Sequence, residues 1–207
     1  MSEPGLVPSR ALRVVALVLA FGLLAACAGQ RLRPDAALLA KQQQRENTLA
    51  ARTTWSLEGR LAVAGPADGG SGMLAWSVRG EVYRFEVQAP VTGKTWILSG
   101  DSRHAQVEGL APNPLRDDDA ARLIERELGW KLPVTRFDAW VRGVRAAGSP
   151  ADLEFRADGL PSLLVQDGWR IEYLDYVEDH DPPLPRRVFA SHGGYKVRLA
   201  VQRWRMP

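Results

Sequence analysis

The side chains that could carry chemistry are few in this chain of 207 residues, and they lie far apart. His104, His180 and His192 occur near predicted turns and lack the regular spacing of metal ligands. The sequence contains neither a nucleophile-elbow motif nor a glycine-rich phosphate loop. We therefore predict that the protein is not an enzyme and that it uses no cofactor and no metal ion.

Two acidic clusters could bind a divalent cation, but each has a simpler structural interpretation. Asp117, Asp118 and Asp119 precede a predicted helix over 120–128, where carboxylates cap free amide groups and complement the helix dipole. The run Glu-Asp-His-Asp over 178–181 precedes two prolines and is typical of a solvated loop. We interpret both clusters as structural.

The only cysteine, Cys27, follows the features of a cleaved signal peptide. Arg10 and Arg13 precede an uncharged apolar run over 14–26 that ends in small residues. This run is shorter than the about 20 apolar residues that a membrane-spanning helix needs. The sequence Leu-Ala-Ala-Cys over 24–27 is similar to the bacterial lipobox. We therefore expect lipidation of Cys27; the alternatives are a cysteine that merely follows a signal peptide and a buried free thiol.

These features predict a chain in three parts, namely a signal peptide over 1–26, a lipidated tether over 27–34 and a single domain over 35–207. Bacterial lipoproteins with aspartate directly after the lipidated cysteine stay in the inner membrane, whereas here the residue is Ala28. By that resemblance we expect the periplasmic face of the outer membrane. Several acyl chains on one residue anchor a protein stably, because each buried methylene contributes about 0.8 kcal/mol.

Charge and cysteine content narrow the class of protein further. The sequence contains 27 Lys and Arg residues and 24 Asp and Glu residues. The net charge is therefore small and does not indicate a nucleic acid partner. A lone cysteine excludes an intramolecular disulfide, and the domain must be held together by burial. An excess of basic residues near the C-terminus favours anionic lipid head groups without proving a partner. These residues are Arg186, Arg187, Lys196, Arg198, Arg203 and Arg205.

The periodicity of apolar residues predicts an α+β domain. A helix over 35–53, capped by Asp35, has a narrow apolar face. Apolar and polar residues then alternate with the period of half-buried strands. The predicted strands are 55–64, 72–79, 82–89, 94–100 and 103–109, followed by helices 120–128 and 134–142 and by strands 151–157, 161–167, 168–177, 185–191 and 195–204. Connections this short imply one large antiparallel sheet with the helices on one face.

A sheet of about ten strands tends to curl, and its concave face and the helices would then enclose a space. The seven tryptophans lie mostly within or beside predicted strands. They either fill a core or line an apolar cavity of a kind that suits acyl chains. On each strand, every second side chain should face inward. The inward-facing side chains that we expect to line such a cavity are Leu61, Val63, Trp76, Phe85, Val87, Trp96, Leu98, Ile171, Val197 and Leu199.

A series of short motifs extends through most of the domain. They are Trp55 with Gly59-Arg60-Leu61-Ala62-Val63, Trp76, Tyr83-Arg84-Phe85-Glu86-Val87, Leu128-Gly129 with Leu132-Pro133-Val134, Trp140 with Gly143, Gln166 with Gly168-Trp169 and Tyr173, Leu184-Pro185, and Lys196-Val197-Arg198-Leu199 with Trp204. In this order and spacing they resemble the LolB family of outer-membrane lipoprotein receptors. The resemblance implies an incomplete eleven-stranded antiparallel β-barrel, with helices as a lid over an apolar cavity.

The resemblance also implies a function and partners. Members of this family take lipoprotein cargo from the periplasmic carrier LolA, bind its acyl chains and insert it into the inner leaflet of the outer membrane. Such a transfer needs no nucleotide, because better burial of each methylene sets its direction. We expect a monomer that is held to outer-membrane lipid by its N-terminal acyl anchor. A carrier of lipopolysaccharide or phospholipid and a non-catalytic scaffold lipoprotein are the alternatives.

One loop of the family, with an exposed leucine in a Pro-Leu-Gly context, places cargo in the membrane. The corresponding segment here is Pro90, Val91, Thr92 and Gly93, between the third and fourth strands. Val91 stands at the position of the leucine, and one residue is inserted before the glycine. An apolar residue at a tight loop tip favours contact with a membrane. The alternative is a partly buried loop valine.

Overall fold

A computed structural model describes residues 31–66, 69–90 and 93–207. The expected signal peptide, Cys27, Val91 and Thr92 lie outside the described residues. The helices are α1 (Ala36–Ala50), α2 (Ala120–Leu128) and α3 (Val134–Val141). The strands are β1 (Thr54–Ala64), β2 (Gly69–Arg79), β3 (Val82–Gln88), β4 (Thr95–Gly100), β5 (Ala105–Glu108), β6 (Leu115–Asp117), β7 (Ala151–Phe155), β8 (Pro161–Gln166), β9 (Trp169–Val177), β10 (Leu184–His192) and β11 (Tyr195–Arg205).

All eleven strands form one antiparallel sheet, as the sequence predicts. The order is β6-β5-β4-β3-β2-β1-β11-β10-β9-β8-β7, so two meanders meet where β1 pairs with β11. In that central pair Leu61 lies opposite Leu199, and Val63 lies opposite Val197. Strands β6 and β7 are the two edges, and the sheet does not close into a barrel.

Alternating burial along the strands explains why these segments pair as they do. On β1 the side chains of Trp55, Leu57, Leu61 and Val63 are buried, while their neighbours are exposed or half-buried. Gly59 completes the buried row at a bulge between β1 and β11. A Cβ atom at this position would lie 2.4 Å from the Ala200 carbonyl oxygen, so only glycine permits the close approach.

The helix termini are set by local chemistry that the sequence predicts correctly. The Asp35 carboxylate accepts a hydrogen bond from the Leu38 N–H at 2.8 Å and so caps α1. Asp119 caps α2 by accepting from the N–H groups of Ala121 and Arg122. Gly129 ends α2 with a φ of 69°, a left-handed conformation that favours glycine.

Two expectations about individual elements need correction. The first helix buries Gln42 and Arg45 together with Leu49, so its inner face is mixed rather than narrowly apolar. The short strand β6 (Leu115–Asp117) lies in a segment for which no strand was predicted, shortly before the predicted helix over 120–128. Three residues are too few for an alternating pattern to be recognised. Within the described ranges, no helix is both long and apolar enough to cross a bilayer.

Candidate functional site

The inner face of the sheet carries all ten side chains that were expected to line a cavity. Nine of them are buried, and Trp96 is half-buried and packs against the core that they form. These residues are Leu61, Val63, Trp76, Phe85, Val87, Trp96, Leu98, Ile171, Val197 and Leu199. They come from both halves of the sheet, so the antiparallel pairing gathers them on one continuous apolar face.

Aromatic rings connect this face with helix α3. The Trp76 ring lies 5.1 Å from that of Trp55 and 5.2 Å from that of Phe85, measured between centroids, and both pairs are edge-to-face. Phe137 of α3 stacks parallel to Trp76 at 6.2 Å. Phe85 continues the cluster to Trp96 at 5.7 Å. Helix α3 therefore covers the inner face as an apolar lid.

A buried glutamine holds the end of this lid to the sheet. Gln166 of β8 accepts hydrogen bonds through Oε1 from Trp140 Nε1 at 2.8 Å and from the Ala146 N–H at 2.9 Å. Its amide nitrogen donates to the Ala146 carbonyl at 2.7 Å and to the Ser149 carbonyl at 3.0 Å. Tyr173 of β9 adds a hydrogen bond to the Trp140 carbonyl at 2.9 Å.

A buried arginine of α1 holds the same end of the lid from the other side. The Arg45 guanidinium donates to the carbonyl oxygens of Gly143 at 2.7 Å, Arg142 at 2.8 Å and Pro183 at 2.8 Å. Burial lowers the pKa of Arg45. The Arg142 and Gly143 carbonyls follow the last turn of α3, where a cation is favourable to the helix dipole. The C-terminal end of the lid is thus fixed by α1 and by the sheet together.

Glu46, the neighbour of Arg45, forms a further link to the segment after the lid. Its carboxylate accepts from Arg145 Nη2 at 2.7 Å, from the Arg145 N–H at 3.1 Å and from Gln42 Nε2 at 2.9 Å. Burial raises the pKa of Glu46, but these hydrogen bonds outweigh burial and hold the pKa below its ordinary value.

This lowered pKa predicts an acid-dependent loss of stability. A carboxylate with a depressed folded-state pKa stabilises the fold above its unfolded pKa, and the contribution is lost as the pH falls through the folded value. We expect the urea-unfolding free energy to fall between about pH 5 and about pH 3, and to fall less in Glu46→Gln. The control is Glu125→Gln, at an exposed position of α2. An identical acid dependence in wild type and Glu46→Gln would contradict the assignment.

The expected membrane loop is a closed hairpin connection between β3 and β4. The Ala89 N–H donates to the Lys94 carbonyl at 2.9 Å, and the Gly93 N–H donates to the Ala89 carbonyl at 3.0 Å. Gly93 has a φ of 65°, which favours glycine. Pro90 is exposed. These bonds bring the two ends of the loop together.

An apolar groove on the outer face of the sheet lies beside Pro90. Its lining includes Arg60, Met73, Pro90, Leu174, Phe189 and Arg198. Met73 is 38% exposed and Leu174 is 53% exposed. The Arg198 guanidinium lies 5.5 Å from the centroid of the Phe189 ring. Exposed apolar side chains bordered by arginines are typical of surfaces that contact lipid head groups.

Several of these functional positions were not found from sequence. Arg45 and the glutamine–tryptophan contact at the lid join residues that are distant in the chain, so local patterns carry no signal for them. Gln166 stood out only as part of a family motif. Met73, Leu174 and Phe189 occupy outward positions of their strands. Single apolar residues are common at such positions and do not by themselves indicate a binding surface.

Comparison with known proteins agrees with this geometry. The profile of the family described as "Outer membrane lipoprotein LolB" matches residues 53–204. The chain is 38% identical over 165 residues to an outer-membrane lipoprotein LolB of Xanthomonas axonopodis pv. citri, covering 77% of this chain and 76% of that one. It is 32% identical over 173 residues to the LolB of Xylella fastidiosa, covering 82% and 79%.

Solved structures share the fold at low sequence identity. A DUF1329 family protein from Desulfovibrio piger superposes with a TM-score of 0.54 at 6% identity, covering 80% of this chain and 90% of that one. A LolA superfamily protein from Nitrosomonas europaea gives a TM-score of 0.51 at 9% identity, covering 82% and 93%. The structures establish the fold, and the sequence relatives establish the family: the chain belongs to the LolB family of outer-membrane lipoproteins.

Proposed function

We propose that this protein is a receptor anchored in the outer membrane that accepts lipoproteins from the periplasmic carrier LolA. It binds their acyl chains against the inner face of its sheet and inserts them into the inner leaflet of the outer membrane. Membership of a lipoprotein-localisation family supports this function. The observation that carries the acyl-binding step is the apolar inner face of the sheet, which helix α3 covers through Phe137.

The driving force of the transfer is burial of hydrocarbon. Each methylene removed from water contributes about 0.8 kcal/mol, so a site that covers more of an acyl chain draws it from a site that covers less. The inner face offers aliphatic and aromatic side chains from strands on both sides of the β1–β11 pair. No chemical step and no nucleotide are required.

Acyl chains enter at the N-terminal end of the lid. The C-terminal end of α3 is fixed by Gln166, Tyr173 and Arg45. Its N-terminal end begins after Pro133 without a side-chain cap among the described residues, and Arg136 links it to Asp167 through a partly exposed ion pair. Movement of this end breaks that ion pair, lifts Phe137 from Trp76 and opens the inner face. The lid therefore pivots about its C-terminal end.

Release into the bilayer uses the loop between β3 and β4 and the groove beside it. Val91 enters the apolar edge of the leaflet, while the arginines of the outer groove meet anionic head groups. Lipidation of Cys27 after removal of residues 1–26 keeps the domain at the periplasmic face. The protein acts as a monomer and receives cargo from one carrier molecule at a time.

Native mass spectrometry tests whether the protein has an acyl-binding site. We expect the mature chain to retain one N-acylated, S-diacylglyceryl cysteinyl peptide after release from detergent, and to retain none of the same peptide without its acyl chains. A scaffold with a permanently filled core would bind neither. Absence of any acylated adduct on a folded chain would contradict the proposal.

A further inference from the structure

Three buried polar atoms that have no hydrogen-bond partner among the described residues surround one pocket at the N-terminal end of the lid. The pocket has a volume of about 240 Å³ and lies between the β2–β3 end of the sheet and α3. Its lining includes Trp76, Tyr83 and Asp138. Trp76 Nε1, Tyr83 Oη and Asp138 Oδ1 are buried and have no hydrogen-bond partner among the described protein atoms.

The two aromatic members of this trio are well positioned on adjacent strands. Trp76 is 2% exposed and Tyr83 is 9% exposed. Trp76 lies opposite Phe85, and Tyr83 lies two residues before Phe85 on the same face of β3. Gly100 lies opposite Tyr83 on β4, and a Cβ atom there would lie 2.8 Å from Tyr83 Oη. The glycine leaves room for the hydroxyl group.

The protonation of these groups fixes what they offer to a ligand. Burial, followed by the negative charges of Asp101 and Asp119, raises the pKa of Tyr83 to about 12, so its hydroxyl keeps its proton near neutral pH. The Trp76 indole nitrogen can only donate. Asp138 Oδ2 binds Arg142 Nη2 at 2.9 Å, which leaves Oδ1 as an acceptor. The three buried groups without a partner among the described residues thus present two donors and one acceptor.

The surroundings select the charge of the ligand. The pocket lining contains the carboxylates of Glu81, Asp101 and Asp138 and no lysine or arginine, so a phosphate or a free carboxylate would be repelled. Val78 and Val134 supply apolar contact. A neutral head with carbonyl acceptors and an N–H donor matches this set.

We propose that this pocket binds the polar head of an acylated N-terminus, namely the ester carbonyls and the amide of an N-acylated, S-diacylglyceryl cysteine. Trp76 and Tyr83 donate to ester carbonyl oxygens, and Asp138 accepts from the amide N–H. The inference rests on the proposed acyl-binding function and extends it to the group that joins the chains. Trp76 belongs both to the pocket and to the inner face, so a head bound here directs its chains under the lid.

Replacing Tyr83 with phenylalanine tests this subsite. We expect Tyr83→Phe to bind a synthetic N-acylated, S-diacylglyceryl cysteinyl peptide about three- to tenfold more weakly, as loss of one hydrogen bond implies. Its affinity for a pyrene-labelled alkane without a polar head should stay unchanged. Tyr195→Phe, at a half-buried tyrosine outside the pocket, serves as the matched control. Because the Tyr83 hydroxyl has no hydrogen-bond partner within the described part of the chain, the substitution should not lower the urea-unfolding midpoint.

A change in the ligand gives a second test that uses only the wild-type protein and so does not depend on the folding of a variant. A peptide with ether-linked chains lacks the ester carbonyls, and we expect the wild type to bind it more weakly than the ester form. Equal wild-type affinity for ester and ether peptides, or an equal effect of Tyr83→Phe on peptide and alkane, would overturn the subsite while leaving acyl binding intact. Failure of the wild type to bind either peptide or alkane would overturn the proposed function as well.

Discussion

Val91→Glu is expected to accept lipoproteins normally and to deliver them to liposomes at least about tenfold more slowly than wild type. A carboxylate placed in the hydrocarbon of a bilayer costs about 2.5–3.5 kcal/mol on insertion scales, and about 1.4 kcal/mol already corresponds to tenfold. The residues of the proposed acyl-binding face belong to the strands and not to this loop, so acceptance should not change. Delivery is measured by flotation of radiolabelled cargo with liposomes.

Two further substitutions make the loop experiment specific. Val91→Leu introduces the larger apolar side chain that the family resemblance implies for this loop, and it should deliver cargo at least as fast as wild type. Val82→Glu places the same new charge at a valine that is 59% exposed, at the opposite end of β3 from the loop, and should leave delivery unchanged. Delivery by Val91→Glu at the wild-type rate would remove the loop from the mechanism.

Gln166→Leu is expected to lower the free energy of unfolding by about 3 kcal/mol, because it leaves buried groups without partners. The Trp140 indole N–H and the N–H of Ala146 both donate to this one side chain. The Ala146 carbonyl also loses its donor. A leucine of similar size restores apolar contact but no hydrogen bond. Urea unfolding followed by tryptophan fluorescence measures the change.

Ser162→Ala is the matched control for this substitution. Ser162 is a buried polar residue of the same strand β8, and its hydroxyl has no hydrogen-bond partner within the described residues. Its removal should change the unfolding free energy little or raise it slightly. If both variants lost the same free energy, the glutamine would not hold the lid by its hydrogen bonds.

Most strands of this fold are readable from sequence because they have one buried and one exposed side. Trp55, Leu57, Leu61 and Val63 of β1 alternate with polar or small residues, and burial in the structure follows that pattern. Strand β8 differs, because its burial is nearly continuous and its residues gave no periodic signal. Helix caps such as Asp35 and Asp119 are local and were equally accessible.

The contacts that hold the lid were not accessible from sequence, for a physical reason. Gln42 and Arg45 are polar, and a helix pattern places polar residues on the solvent side. They are buried because Arg45 satisfies three carbonyl oxygens that come from segments about a hundred or more residues away. Such long-range pairing depends on the completed sheet. The sequence also could not predict that the Tyr83 hydroxyl lacks a hydrogen-bond partner among the described residues. An inward-facing tyrosine on a strand indicates only a core position.

The measurement that tests the central claim most directly is transfer of cargo between two proteins. A preformed complex of the LolA carrier and a radiolabelled lipoprotein is mixed with the mature chain carrying Cys27→Ala, without nucleotide, and each protein is recovered separately. We expect the label to move to this protein, because the proposed function requires its inner face to bury more of each acyl chain than the carrier does. Label that stays on the carrier, with the chain shown to be folded, would contradict the receptor function.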